Sequence, residues 1–158
     1  MELLVVLGEG GHTNELLRLV DLMEGRYEYH YVVSQEDNLS TSRISKPGPI
    51  HTLWRPRGKK TPLAVAFVRT LGVVLQSLWV LLQVRPAAIL STGPAIAVPI
   101  SLLGRLLGAR IIFVETGSRV TRLSLTGRLM YPIAHLFFVQ WPKLQQKLPR
   151  ARYEGRLL

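Results

Sequence analysis

Apolar runs and stretches of helical periodicity alternate along the whole chain. Leu3 to Leu7 is an unbroken apolar run that stops at Gly8, the pattern of a strand buried on both faces. Thr13 to Glu24 then places Leu16, Leu17, Leu19, Val20 and Met23 at helical spacing, with His12 or Thr13 at the cap. Tyr27 to Ser34 and Ile50 to Trp54 read as strands, separated by a polar loop, Gln35 to Pro49, that contains Pro47-Gly48-Pro49. After a basic loop, Pro62 sits at the first turn of a long helix that runs to Val84 and ends at Arg85-Pro86. Ala87 to Ser91 is a strand. Ala95 to Leu107 is a helix, expected to bend at Pro99 and to stop at Gly108. Arg110 to Glu115 is a strand, Thr116 to Leu123 a loop, Ser124 to Tyr131 a helix and Ala134 to Val139 a strand. Pro142 to Leu148 is a short helix, and Arg152 to Leu158 an extended tail.

Strands that alternate with helices predict a single α/β domain over residues 1–158, with a mostly parallel, Rossmann-like sheet and helices on both faces. Ligands of such sheets sit beyond the carboxyl ends of the strands, where the strand order reverses. Those ends carry Gly8–Thr13, Ser91–Pro94 and Glu115–Arg119.

Composition narrows the class. Apolar residues make up 47% of the 158, which excludes a disordered chain. There is no cysteine, so disulfide scaffolds, thiolate zinc sites and a cysteine nucleophile are excluded. The net charge of +10 is unevenly placed: residues 1–42 hold two basic and eight acidic residues, and the remainder 18 basic and two acidic. Arginine supplies 15 of the 20 basic residues, the side chain that best forks onto phosphate oxygens. Phosphate-rich ligands or an anionic membrane surface fit this balance. Nucleic acid is not expected, because the basic segments carry no interleaved aromatics and no recognition motif. The opening run is too short for a signal peptide. Leu63 to Val84 is long enough to consider for the bilayer but contains Arg69, Gln76 and Gln83, and is read as a helix that packs, at least in part, on the sheet.

Several sites could carry chemistry. In Gly8-Glu9-Gly10-Gly11-His12-Thr13 the glycines let backbone approach an anion, and the following helix offers free N–H groups and its positive dipole end. Thr13 stands where a dinucleotide fingerprint has its third glycine, and no Gly-Lys-Ser/Thr follows, so neither the full fingerprint nor a Walker A loop is present. His12 suits a general base or a phosphate donor; a plain helix cap is the alternative. Ser91-Thr92-Gly93-Pro94 is a second small loop before a helix. Glu115 ends a strand expected to be buried, which calls for a sugar hydroxyl, base work or pairing with Arg119 or Arg122. The basic loop with Arg55, Arg57, Lys59 and Lys60, beside the apolar helix with Arg69 and Trp79, suits anionic lipid headgroups. Trp141 reads as a core plug or an interface anchor. No metal-ligand cluster is visible.

These stretches taken together resemble one family. Gly8 to Glu15, Ser91-Thr92-Gly93-Pro94, Val114-Glu115 with Ser118-Arg119-Val120, Leu123 to Gly127, Phe138 to Pro142 and Tyr153 to Leu157 recur in order. They resemble the acceptor-side subunit of the two-part N-acetylglucosaminyltransferase that adds the second sugar to a dolichyl-pyrophosphate-linked N-acetylglucosamine. The resemblance implies the N-terminal half of a glycosyltransferase-B fold, similar to that of MurG. It implies inverting transfer from UDP-N-acetylglucosamine, a separate donor-binding subunit, a polyprenyl-pyrophosphate-linked sugar as acceptor, and no metal or other cofactor in the active site. Gly8, Gly10, Gly11, His12 and Thr13 would then form the acceptor-diphosphate loop, with Ser91, Thr92, Gly93, Pro94 and Arg119 beside it. His12 and Glu115 would be the candidates for the base. Eukaryotic members usually carry an N-terminal membrane helix, whereas this chain opens on its first strand. The expectation is therefore peripheral docking on the cytoplasmic face of a membrane. Bacterial relatives in polysaccharide assembly transfer other sugars, such as glucuronic acid. A nucleotide- or NAD-binding module with Glu36 or Asp37 on the ribose is the rival reading.

Overall fold

All the apolar runs predicted as strands join one sheet. The computed structural model describes residues 1–8, 10–25, 27–35, 37–54 and 63–157; residues 9, 26, 36, 55–62 and 158 lie outside the described residues. The strands are β1 (Glu2–Val6), β2 (Glu28–Ser34), β3 (Ile50–Leu53), β4 (Ala88–Ser91), β5 (Arg110–Val114), β6 (Leu136–Val139) and β7 (Ala151–Tyr153). The helices are α1 (Gly11–Leu22), α2 (Asn38–Thr41), α3 (Leu63–Val84), α4 (Ala97–Leu106), α5 (Leu125–Met130) and α6 (Pro142–Gln145). The sheet has the order β3-β2-β1-β4-β5-β6-β7, and each of the six strand pairs is parallel.

That order has one reversal. From β1 the chain moves outward to β2 and β3, crosses back through α3 to β4 on the other flank of β1, and continues to β7. The loops after β1 and β4 therefore leave the sheet in opposite directions, opening a crevice between them.

The core is divided by the sheet. On one face α3, α4 and α5 bury Val73, Val80, Leu81, Ile100 and Met130 against Leu4, Val6, Ile89, Ile111, Phe113 and Phe137. On the other face α1 places Leu16, Leu17 and Val20 on Leu3, Val5, Leu7, Tyr31, Val33 and Leu90. Strands β1 and β4 contribute to both clusters, so Leu3 to Val6 and Ala88 to Leu90 are apolar without a break. Beyond α1, the second face is covered over β5 and β6 by the C-terminal segment, with Leu157 packed near Ile112, Val114 and Phe138.

Three expectations are corrected. The loop Gln35 to Pro49 contains the short helix α2, because Asp37 accepts a hydrogen bond from Ser40 N at 3.0 Å and caps it. Pro99 causes no interior bend: α4 begins at Ala97, and in the first turn a missing N–H costs nothing. The extended tail starts as strand β7, which pairs with β6 through Phe137↔Ala151.

At the amino ends of β1 to β3, Glu2 contacts His30 at 2.8 Å, and the His30 and His51 rings stack with Nδ1 and Nε2 3.3 Å apart. Burial, and then the neighbouring His30, hold His51 below its ordinary value of 6.5. The unfolded chain therefore takes up this proton before the native one does. The contribution of His51 to stability is complete above about pH 6.5 and is lost as pH falls through its folded value. In thermal unfolding, His51→Gln is expected to show a smaller drop in Tm from pH 7.5 to 5.5 than the parent chain. An equal or larger drop refutes the assignment.

Candidate functional site

The crevice between β1 and β4 brings the first two predicted loops into contact. Gly8 leaves β1 against Pro94; a Cβ on Gly8 would lie 2.8 Å from Pro94 Cβ, so only glycine fits this close approach. Gly10 has φ +76° at the N-cap of α1, again a conformation that favours glycine. Among the described residues, no side chain caps the N-terminus of α1. Its first N–H groups therefore face the crevice mouth beside exposed Gly10 and Gly11.

His12 sits one residue into this helix, half-buried. The Thr92 hydroxyl donates to His12 O at 2.9 Å, and Gly93, at φ +109°, lies next to the His12 ring. His12 Nδ1 is buried with no hydrogen-bond partner among the described residues, and so is Ser91 Oγ. A buried polar atom without a partner is uncommon, and these two stand on the two loops that line the crevice.

Thr13 has a different part. It is fully buried, and its hydroxyl bonds Gly8 O while lying 2.9 Å from Ser40 Oγ. Ser40 Oγ also lies 3.1 Å from Gly8 O and donates to the Asp37 carboxylate. The glycine loop is thus tied from beneath by Thr13 and Ser40. Asp37 is occupied in capping α2 and is only 6% exposed, which removes it as a ribose ligand. Glu36, the other residue of that rival reading, lies outside the described residues.

The third predicted site is built differently from the first two. Glu115 is fully buried, and both its oxygens are engaged. Oε1 accepts Thr116 N–H at 3.1 Å; Oε2 accepts Ser124 N–H at 3.0 Å and Ser124 Oγ–H at 3.1 Å. Burial pushes the Glu115 carboxyl up from its ordinary range, opposed by the Ser124 and Thr116 hydrogen bonds and by the charge of Arg119. The side chain thus pins the start of α5, where Ser124 also caps Gly127 N–H at 2.9 Å. Arg119 is exposed. Among the described residues, backbone and hydroxyl donors rather than a guanidinium hold Glu115.

Of the predicted docking residues, Arg69 and Trp79 lie on the exposed side of α3, with Trp79 61% exposed. Arg55, Arg57, Lys59 and Lys60 lie outside the described residues. Val65–Val84 is long and apolar enough to cross a membrane, with mean hydropathy 1.9. One side of this helix packs on the sheet, and the opposite side leaves Phe67, Val68, Leu71, Leu75 and Leu82 exposed with Trp79. Among the described residues, no group of three or more His, Cys, Asp or Glu is placed to hold a metal ion.

Residues 3–157 match the family described as oligosaccharide biosynthesis protein Alg14 like. The chain belongs to the Alg14-like family. It is 31% identical over 182 residues to the human UDP-N-acetylglucosamine transferase subunit ALG14, covering all of this chain and 83% of that protein. It is 36% identical over 173 residues to the Schizosaccharomyces pombe subunit of the same name, covering 97% of this chain and 81% of the relative. Among solved structures, Acinetobacter baumannii MurG superposes with TM-score 0.73 at 17% identity over 90% of this chain, and UDP-GlcNAc 2-epimerase from Methanocaldococcus jannaschii with TM-score 0.73 at 16% over 99%. The chain spans under half of each, 42% of MurG and 46% of the epimerase. The Alg14-like chain thus has the expected Rossmann-like half of a glycosyltransferase-B fold.

In this Alg14-like chain the sequence reading missed two residues of the site. Glu15, on α1, reaches the loop after β5, and Gln140, at the end of β6, reaches Glu15 at 2.8 Å. The available signal was an acid next to the core pair Leu16-Leu17, at the edge of the buried face of an amphipathic helix.

The Glu115 pocket leaves no room beside α5. A Cβ on Gly127 would overlap Glu115 Oε2. Gly127→Ala is therefore expected to lower stability by about 1–3 kcal/mol, as overpacking does. Denaturant unfolding checks this, and an unchanged midpoint refutes the packing argument.

Proposed function

We propose that this chain is the acceptor-holding half of an inverting glycosyltransferase. In this reading it holds a polyprenyl-pyrophosphate-linked sugar and, with a donor-binding partner subunit, transfers N-acetylglucosamine from UDP-N-acetylglucosamine. The observation that carries the reading is the crevice between β1 and β4. There the uncapped N-terminus of α1, the open glycines Gly10 and Gly11 and the unpartnered His12 Nδ1 converge with Gly93. An anionic diphosphate fits such an N-terminus, where free N–H groups and the helix dipole act together. The names of the relatives, each a UDP-N-acetylglucosamine transferase subunit, support the reaction class. The word subunit in those names supports the need for a partner.

The chemistry then divides among the groups at the crevice. The acceptor hydroxyl attacks the anomeric carbon of the donor sugar, a new glycosidic bond forms, and the bond to the UDP oxygen breaks with inversion. The hydroxyl proton must leave as the nucleophile bonds. The His12 imidazole takes it, because Glu115 is buried and both its oxygens already accept hydrogen bonds. The backbone of Gly10, Gly11 and His12 holds the diphosphate. Thr13, Ser91, Thr92 and Pro94 shape the loops, with Thr92 bonded to His12 O. Arg119 supplies positive charge beyond β5.

The exposed side of α3 seats the protein peripherally on the cytoplasmic face of an anionic membrane, with Trp79 and Phe67 entering the headgroup boundary. Tryptophan prefers that boundary because its indole ring is apolar and carries a polar N–H.

Two measurements test the two halves of the reading. In a transfer assay with the partner subunit, UDP-N-acetylglucosamine and a short-chain polyprenyl-pyrophosphate-linked sugar, His12→Ala is expected to lower kcat by about 10²–10⁴-fold. Glu115→Gln is expected to alter stability more than kcat. Near-normal turnover of His12→Ala removes it as the base. Separately, Trp79→Glu is expected to reduce sedimentation with phosphatidylglycerol vesicles while far-UV circular dichroism stays unchanged. Undiminished sedimentation removes this side of α3 from the docking surface.

A further inference from the structure

Glu15 and Gln140 take no part in the proposed chemistry, yet both are almost fully buried, at 5% and 2% exposure. A buried carboxylate is costly unless donors saturate it. Glu15 is saturated from two separate segments. Its Oε1 accepts the Thr116 hydroxyl at 2.9 Å, Gly117 N–H divides between its two oxygens at 3.3 and 3.1 Å, and Oε2 accepts Gln140 Nε2–H at 2.8 Å.

Gln140 uses its whole amide. Nε2 also donates to Glu115 O at 3.2 Å, and Oε1 accepts Leu157 N–H at 2.8 Å. The reverse amide orientation would set two acceptors face to face at Glu15 and two donors face to face at Leu157, so chemistry fixes the orientation. The adjacent Trp141 repeats the pattern: its Nε1–H donates to Gly117 O at 2.7 Å, and Arg156 covers its ring at 4.5 Å. Two neighbouring residues at the end of β6 thus make two parallel bridges. Each runs from the C-terminal segment, at Leu157 or Arg156, to Gly117, whose N–H and C=O are both held.

We propose that Glu15, Gln140 and Trp141 are positioning residues that couple the seating of residues 156–157 to the placement of the 116–119 loop. Coupling of this kind is reciprocal: whatever holds the C-terminal segment in place orders Gly117, and whatever binds the loop tightens the C-terminal segment. The kinetic consequence rests on the proposed function, since it takes the 116–119 loop to face the acceptor. The coupling itself does not rest on it.

The test perturbs each end and reads the other. Hydrogen exchange is followed at the Gly117 and Leu157 amides of the full chain in three variants: Glu15→Gln at the loop end, exposed Arg156→Ala at the other, and the swap Glu15→Gln with Gln140→Glu. Loss of one hydrogen bond to a charged group corresponds to about a tenfold change. Glu15→Gln is expected to speed exchange about tenfold at Gly117 and also to speed it at Leu157. Arg156→Ala is expected to speed exchange at Leu157 and also at Gly117. The swap rebuilds the bond between positions 15 and 140 but loses the one from Gln140 to Glu115 O, so it is expected to slow exchange at both amides only part of the way back. If each single variant changes only its own end, the coupling is refuted. Arg156→Ala decides the matter even if the buried variants do not fold.

In the transfer assay with the partner subunit, Arg156→Ala is expected to raise KM for the polyprenyl-pyrophosphate-linked sugar and to leave KM for UDP-N-acetylglucosamine and kcat unchanged. Coupled exchange with a shift in the UDP-N-acetylglucosamine KM instead upholds the relay and overturns the acceptor assignment of the loop.

Discussion

A parallel sheet that grows outward from β1 in both directions must reverse its strand order once, and that reversal shapes the rest of this molecule. The crossover through α3 returns the chain to β4, beside β1, and the two loops on either side of the reversal cannot cover one another. What closes the gap is contact at small residues. Gly8 lies against Pro94, Gly93 beside the His12 ring, and the Thr92 hydroxyl on His12 O. A side chain at Gly8 would meet Pro94 and push the loops apart. The crevice is therefore a product of topology, and Gly8 sets how closely its two walls approach.

The two buried glutamates divide the work of holding the third loop. Glu115 ties the end of β5 forward to Ser124 and the first turn of α5. Glu15 ties the next residues of the same loop sideways to α1. Neither is neutralised by a buried cation among the described residues. Each is held by backbone and neutral side-chain donors, which are directional. Such donors fix the orientation of each carboxylate, and each hydrogen bond to a charged acceptor contributes about 1.5–3 kcal/mol. The loop from Thr116 to Ser124 is thus tied at both its ends, while Ser118, Arg119 and Val120 between them remain exposed.

Strands and long helices were legible from periodicity because burial on one or both faces dictates it; β1, α1, α3 and β5 follow their apolar patterns closely. The first two loops were legible because Gly8, Gly10 and Gly93 have backbone reasons to be glycine. Helix α2 was hidden because its cap, Asp37 with Ser40, also reads as a polar loop. The role of Glu115 was only half legible. Its isolation among basic residues marked it as buried and purposeful, but the donors that claim it come from Ser124, nine residues on in the chain. Glu15 and Gln140 were illegible as a pair for the same reason, since 125 residues separate them. Periodicity reports which face of an element is buried; it is silent on which distant donor meets a buried acceptor.

Charge and apolar surface now acquire an arrangement in space. The acidic first 42 residues form β1, α1, β2 and α2, on one flank of the crevice, and β4 to β7 with their helices, on the other, belong to the basic remainder. On the face of the sheet that packs α3, α4 and α5, the exposed sides of these helices keep Trp79, Phe67, Leu75, Leu106 and Leu125 in solvent. Burying a side chain of this kind contributes about 1.5–3 kcal/mol. A helix layer with that much unburied apolar surface is better matched to a surface that supplies the missing contact than to water. The same layer packs its other side on the strands whose ends form the crevice. A surface that covers these helices would therefore hold the crevice at a set height and tilt relative to itself, which is what an enzyme half needs if its acceptor is anchored in a lipid layer.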